Sequence, residues 1–440
     1  MQPACNPYCN RVAQNRILDT TDSDRIGKNN ESKYGWAIVA VIFASMGVAI
    51  GTGQYAFGVF VEPLEEHYGW SRTQINASLS FFAIGSLSAP LVGRLMDKMG
   101  TKPVMGASLM LFSISYLLRP FMTNILHWYL VSIVQFVGMP GSAMLPAGKL
   151  IGTWFPKRTG RMLGISMMGA NFGGVIMPIF ASFLVSSYGW QYTYTTFGFL
   201  CLATALGALC FIKDDPLSTT SSINTPNKTV QNGATVREAL HSRSFYAVVL
   251  GVMAASFTYQ SVLTQIIPHL QNEGMTIRSA SAFLGFVAAF GMLGKIVFGI
   301  LTERLASRYV LMIALLFQTV GLVILISVPT SNLVWIATPI YGMALGGTGV
   351  IMAILAQQTF GLKHFGTIFG LINMATAASA LLGPIMVGAT FDTTGSYRFA
   401  FVIVAFIFGL GILFLRKATP IVQIGQDLTE NTASPIARMG

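Results

Sequence analysis

The chain has 440 residues, of which 53% are hydrophobic and 10% charged, with a mean hydropathy of +0.62. A soluble domain of this length needs no such apolar fraction, so the composition points to an integral membrane protein. The formal charge of +11 would suggest nucleic acid in a soluble chain, but here the basic residues follow the loops and no nucleic-acid partner is expected.

Residues 1–35 are polar, lack a signal-peptide core, and read as a cytoplasmic tail. Cys5 and Cys9 in that tail have no His nearby, so neither a metal site nor a disulfide framework is expected. Twelve apolar segments follow, near 36–60, 76–96, 103–122, 126–150, 162–187, 191–212, 246–270, 279–301, 309–328, 332–356, 366–390 and 397–415. Each is about 20 residues long, enough for a helix to cross about 30 Å of hydrocarbon. None shows the period-two alternation of a membrane barrel.

The segments fall into a six-helix half over 36–212 and another over 246–417. Between them, residues 213–245 are rich in Ser, Thr, Asn and charge and read as a cytoplasmic linker. A short surface helix is expected there from Val236 to Arg243. Residues 418–440 return to polar composition as a second cytoplasmic tail. Most of the 27 Lys and Arg then lie on the side of the two tails, which orients both termini to the cytoplasm of a plasma (inner) membrane. Arg72, Arg119, Arg278 and Arg398 lie on or near the other side, and Lys149 and Lys295 lie within spans.

The two halves repeat one another. Gly93-Arg94-Leu95-Met96-Asp97-Lys98 ends one apolar run, and Gly299-Ile300-Leu301-Thr302-Glu303-Arg304 ends another 206 positions later. At the same offset Gly160, Gly164, Pro178 and Gly189 fall on Gly366, Gly370, Pro384 and Gly395, while Pro63 and Gly69 fall on Pro268 and Gly274 one residue out of step. Parallel repeats in a membrane chain are the pattern of a carrier whose halves rock about a central site. Most of the 45 glycines sit inside spans, where small residues let helices approach closely.

The run 93–102, GRLMDKMGTK, resembles the loop between helices two and three of the major facilitator superfamily. The fold implied is an all-α membrane protein with twelve transmembrane helices in two six-helix pseudo-symmetric halves. Gly93, Asp97 and Lys98, with Gly299, Glu303 and Arg304 in the second copy, would then govern gating; the second copy has Ala306 where Gly100 stands. Residues 154–169, WFPKRTGRMLGISMMG, resemble the start of helix five in monocarboxylate transporters, which adds Lys157 and Arg158 to the gating set. ESKYGW at 31–36 resembles that family's start of helix one, with Ser32 and Lys33 departing, and YGWSRTQI at 68–75 resembles the bacterial oxalate and formate exchangers.

Lys295 is the leading substrate-binding candidate. A charge inside a span costs about 2.5–3.5 kcal/mol on insertion scales, so it usually faces a cavity or a partner. The resemblance places a substrate-binding Arg at this position, and Lys295 offers a point charge without the bidentate fork. The bland alternative is a lysine reaching for the interface. Gly291 stands where the eukaryotic relatives carry a partner Asp, and Tyr55 where they carry a Lys. Gln54 and Tyr55 in span one and Tyr259 and Gln260 in span seven put phenols and amides at mid-span, suited either to a small anion or to helix contacts. By resemblance to the exchangers, Tyr341 joins the set, and Asn373 stands near a second cation of theirs; its neutrality argues for a monoanion.

Other polar residues read as structural. Lys149 is expected to reach the cytoplasmic surface, Arg119 to sit at the interface, and Asn171 and Gln135 to join helices. His269 has the chemistry of a proton-sensitive gate, although a lone histidine near a loop is commonly incidental. No Walker sequence, metal cluster, cofactor motif or nucleophile with its base stands out, so no enzyme and no cofactor are expected. The expected protein is a monomeric secondary transporter of a small organic monoanion, by proton symport or anion exchange, working in the lipid bilayer. A carrier of a drug, vitamin or aromatic compound, and a membrane sensor that moves nothing, remain as alternatives.

Overall fold

The computed structural model describes residues 34–214, 233–263, 265–327 and 332–420. Cys5 and Cys9, the middle of the linker and most of the C-terminal tail lie outside the described residues. Lipid offers the backbone no hydrogen-bond partners, so an apolar chain must satisfy its own amides. The described residues are accordingly almost entirely helical, with one isolated bridge between Gly233 and Gly361.

Among the described residues, ten helices are long and apolar enough to cross a membrane. Spans one to four are Tyr34–Tyr55, Gln74–Met99, Thr101–Phe121 and Ile125–Trp154. The helix Thr159–Phe211 has 53 residues, about 80 Å at 1.5 Å per residue, too long for one crossing. It breaks at Gly189, whose φ of 84° is left-handed, into spans five and six. The apolar helix Arg243–Phe257 opens span seven and continues through Thr258–Val262 towards Ile266–Asn272. Spans eight to twelve are Ala282–Arg304, Ser307–Ser327, Asn332–Phe360, Phe365–Phe391 and Arg398–Leu415.

Starts and stops follow local chemistry. Asn124 accepts the His127 amide at the start of span four, and Thr276 accepts the Ser279 amide before span eight. Thr235 and Glu238 form a reciprocal capping box that starts the expected linker helix, observed over Val236–His241. Gly189 and its repeat partner Gly395 both take positive φ, 84° and 68°, a conformation that side chains disfavour.

The repeat is also structural. Span one carries a π-helical turn over Gly51–Tyr55, and span seven carries one over Thr258–Val262. Thr52 and Thr258, 206 apart, are both buried and both hydrogen-bonded to a tyrosine of their own half. Thr52 accepts from Tyr116 at 3.1 Å, and Thr258 pairs with Tyr341. Such turns loosen a helix locally and often mark functional positions.

Arg119 corrects an expectation. It is 4% exposed and buried inside the N-terminal half rather than at the interface, with its guanidinium 4.7 Å from the ring centres of Tyr116, Trp128 and Tyr194. It donates to Gln135, which donates to Tyr116 at 3.1 Å, and so reaches Thr52 in the π-turn of span one. A desolvated cation over aromatic faces gains about 2 kcal/mol, and a hydrogen bond to a charged group about 1.5–3 kcal/mol. One side chain thus joins spans one, three, four and six. On the face opposite the linker, Glu273 accepts from Arg398 at 2.7 Å, tying the end of span seven to the start of span twelve.

Arg119→Ala is expected to destabilise the protein by about 3 kcal/mol, read as a lower unfolding temperature in detergent; an unchanged temperature would remove the cage from the account of stability. The hydrogen bonds from Arg398 hold the Glu273 carboxyl below the usual range. That contribution is fully present above the ordinary glutamate value of about 4.3 and is lost as pH falls through the lowered folded value. Acidification below about pH 4 should therefore cost the wild type more thermal stability than Glu273→Gln, a difference that parallel melts at two pH values measure.

Candidate functional site

On the side that carries the linker, the halves meet through two repeat-related contacts. A Cβ on Gly93 would lie 1.9 Å from the Gly366 carbonyl oxygen, and one on Gly160 would lie 1.9 Å from that of Gly299. Gly93 is the repeat partner of Gly299, and Gly160 of Gly366, so span two crosses span eleven as span eight crosses span five. Only glycine permits backbones this close.

Each crossing is held by an acid on the opposite helix start. Asp97, closing span two, accepts the amides of Gly366 at 3.0 Å and Thr367 at 2.8 Å, and the Thr367 hydroxyl at 2.8 Å. Glu303, closing span eight, accepts the Arg161 amide at 2.9 Å and the Arg161 guanidinium at 2.6–3.2 Å. Free amides and the helix dipole make a helix start favourable for a carboxylate. Lys149 completes the first acid's set at 2.9 Å and also donates to the Met96 carbonyl at 3.1 Å. It is therefore part of the contact and does not reach for the surface.

Of the expected gating residues, Gly93, Asp97, Gly299 and Glu303 stand at these crossings. Lys98, Arg304, Lys157 and Arg158 do not: all four are exposed. Lys98 and Arg304 follow the acids by one residue, which rotates them by about 100° off the contact face. The cations that pair with the acids are Lys149 and Arg161. Arg161 was legible from the duplication, since it is the repeat partner of Thr367, the residue that Asp97 caps.

Further from the linker side, Lys295 of span eight donates to the Met167 carbonyl of span five at 3.0 Å and to the Asn171 side chain. The backbones approach closely here, since a Cβ on Gly164 would lie 2.5 Å from the Lys295 carbonyl oxygen. An ammonium has three donors, and two are used. No carboxylate lies within ion-pair distance of it among the described residues. Asn171 is thus a contact between helices, as expected, and the helix it meets belongs to the other half.

Beyond Lys295 the halves part. The two π-turns pack chiefly within their own halves. Gln54 is exposed, and Tyr55 is 52% exposed with its ring against Gly174, one turn of span five beyond Asn171. Tyr259 is half-buried and donates to the Leu345 carbonyl at 2.9 Å. Gln260 lies on the π-turn of span seven, and its side chain is outside the described residues. Asn373 is half-buried and donates to the Phe369 carbonyl of its own helix at 3.0 Å. Tyr341 is fully buried with its hydroxyl on Thr258, which sets it behind the wall, where it supports span seven. His269 is buried against Phe401, with its Nε2 3.3 Å from the Leu325 carbonyl oxygen.

A cleft of about 460 Å³ lies between the halves on the linker side, lined by Lys157, Glu303, Gln357 and Gln358 among others. None of the mid-span candidates lines it, and the crossings separate it from Lys295. Among the described residues no cluster of His, Cys, Asp or Glu could hold a metal.

A membrane chain in two repeated helical halves, closed at one end by reciprocal helix caps and parted beyond a half-buried lysine, has the form of a carrier. Residues 38–384 match the Major Facilitator Superfamily. The chain belongs to the Major Facilitator Superfamily. It is a multi-pass membrane transporter and not an enzyme. Similar proteins include the "Probable L-galactonate transporter" of Escherichia coli, 24% identical over 80% of this chain and 82% of that protein. Human "Monocarboxylate transporter 2" is 21% identical over 84% of this chain and 82% of its own length. Among solved structures, the Major Facilitator transporter FucP in the outward conformation aligns with a TM-score of 0.67 at 17% identity, covering 87% of this chain and 98% of that one.

Removing either carboxylate should release the linker side. Asp97→Ala or Glu303→Ala each deletes charge-assisted hydrogen bonds of about 1.5–3 kcal/mol, which shifts the closed-to-open ratio by about 10- to 150-fold. Distances between spin labels on Met99 and Lys363 would lengthen in both variants; an unchanged distribution would show that the caps do not hold this state.

Proposed function

We propose that this transporter moves a small organic monoanion of the monocarboxylate class across the membrane by alternating access, with Lys295 as the cation that receives the carboxylate. The observation that carries the reading is an ammonium within a span, at the point where the halves part, with no acidic partner among the described residues and one donor unspent. A charge retained at this cost inside a membrane is best explained by a ligand that neutralises it. Gln54 and Tyr55 are exposed polar groups of span one, with the Tyr55 ring against span five one turn beyond Asn171, and Tyr259, Gln260 and Asn373 are proposed to complete the lining.

The relatives support the class. L-Galactonate, named for one of them, and the monocarboxylates named for the other share one carboxylate and small size. One embedded cation suits one negative charge, and Asn373 adds none. The loop distribution of Lys and Arg supports cytoplasmic termini, so the closed linker side is the cytoplasmic one and the parted faces open outward. With Gly291 at the place where the resemblance puts an Asp, span eight offers no acid beside Lys295 for a proton relay, which leaves exchange and symport to be separated by experiment.

The deciding experiment is uptake of labelled lactate, pyruvate, L-galactonate, formate and oxalate into proteoliposomes, with a proton gradient or with preloaded anion. Saturable uptake of a monocarboxylate is expected, with kcat/KM lowered about 10- to 150-fold in Lys295→Ala, the equivalent of one charge-assisted hydrogen bond of about 1.5–3 kcal/mol. Flux indifferent to Lys295 would favour a carrier of another solute, and tight ligand binding without flux would favour a sensor.

A further inference from the structure

We propose that Asn171, with the Met167 carbonyl, is a stand-in ligand for Lys295 that the substrate displaces, so that binding itself unties the halves; the inference rests on the reading of Lys295 as the carboxylate receptor. Met167 and Asn171 are four residues apart on span five and therefore share one helix face. Both present neutral oxygens to the ammonium from the opposite half. Along the closed interface this is the rung nearest the parted faces: the caps at Asp97 and Glu303 lie towards the linker side, and Tyr55 and Gly174 lie beyond it.

A ligand shifts a two-state equilibrium only by its difference in affinity for the two states. In the closed state an incoming carboxylate competes with Asn171 and Met167 for the ammonium. Once spans five and eight have separated, it meets an ammonium with no competitor. The carboxylate thus binds the separated state more tightly, which drives the linker side open. A carboxylate also adds a Coulomb attraction to the ammonium that a neutral amide or carbonyl lacks, so the exchange of partners proceeds towards the substrate. Without substrate, the amide and carbonyl keep the lysine solvated by protein, and the empty carrier stays closed at this end.

Two substitutions at one position push in opposite directions. Asn171→Ala removes the competitor, and KM for the transported monocarboxylate should fall on the order of 10-fold. Asn171→Asp supplies a permanent anionic competitor, and KM should rise by at least the same factor. Misfolding or a merely structural role would move both variants the same way. A second readout is independent of substrate: Ala353→Cys, in a background with the native cysteines replaced, is buried against Gly148 of the other half. Its labelling by a thiol reagent from the linker side should increase in Asn171→Ala and decrease in Asn171→Asp. Parallel changes in KM, or labelling indifferent to residue 171, would overturn the tie. If the wild type carries no monocarboxylate, the functional reading fails by itself, and the labelling still decides whether Asn171 holds the halves.

Discussion

A carboxylate placed on the first turn of a helix from the other half is the contact on which this arrangement depends. Asp97 does it to span eleven and Glu303 to span five, and the duplication makes the two nearly the same event seen twice. A helix start has amides with no partner in the helix, so in a membrane interior the capped state has an electrostatic preference of its own. Because the acids sit on the moving partner, that preference belongs to one conformation only. Rotating the halves apart at this end would break the bonds of the acids to the opposite helix starts and the one from Gln357 to the Gly148 carbonyl, while the bonds of Lys149 to Asp97 and Met96 lie within one half.

The glycine crossings make that contact reachable. A single methyl group at Gly93 or Gly160 would push the backbones apart by more than an ångström and lengthen every hydrogen bond from the acids. Gly93, Asp97 and their repeat partners therefore work as a unit of closeness and charge. Internal rigidity serves the same end. Arg119, held by three rings and Gln135, ties four helices of one half together, so force applied at a cap turns the half as a body.

Much of this was legible in the chain. The repeat and the spans came from spacing, because helix length, lipid thickness and the duplication offset are geometric and leave marks in a linear sequence, and the resemblance to the superfamily loop added the capping acids. Cation partners were less legible. Lys98 and Arg304 adjoin the acids in sequence, but a helix turns about 100° per residue, so adjacency places them on another face. Arg119 was misplaced because it stands beside Pro120 at the outer end of span three, while Trp128, Gln135 and Tyr194, which surround its guanidinium, come from other helices. Tyr341 was assigned to the site by resemblance to the exchangers; that it faces Thr258 depends on the rotation of span ten, which periodicity alone leaves undetermined in a helix apolar on all sides. The place of Lys295 in the site remains a proposal, resting on its unspent donor and its position.

The paired π-turns carry a consequence for how such a chain can be edited. A π-turn is an α-helix holding one residue more than its hydrogen-bond ladder needs. Deleting a residue from Gly51–Tyr55 would restore regular helix without breaking the span, and because the extra residue is absorbed within the turn, the helix on either side would keep its facing. Only the residues of the turn itself, Tyr55 among them, would change the direction they face, while the Thr258–Val262 turn of the other half stayed as it was. The lining of the parted faces is therefore adjustable one half at a time, by changes in length as well as by changes in residue type.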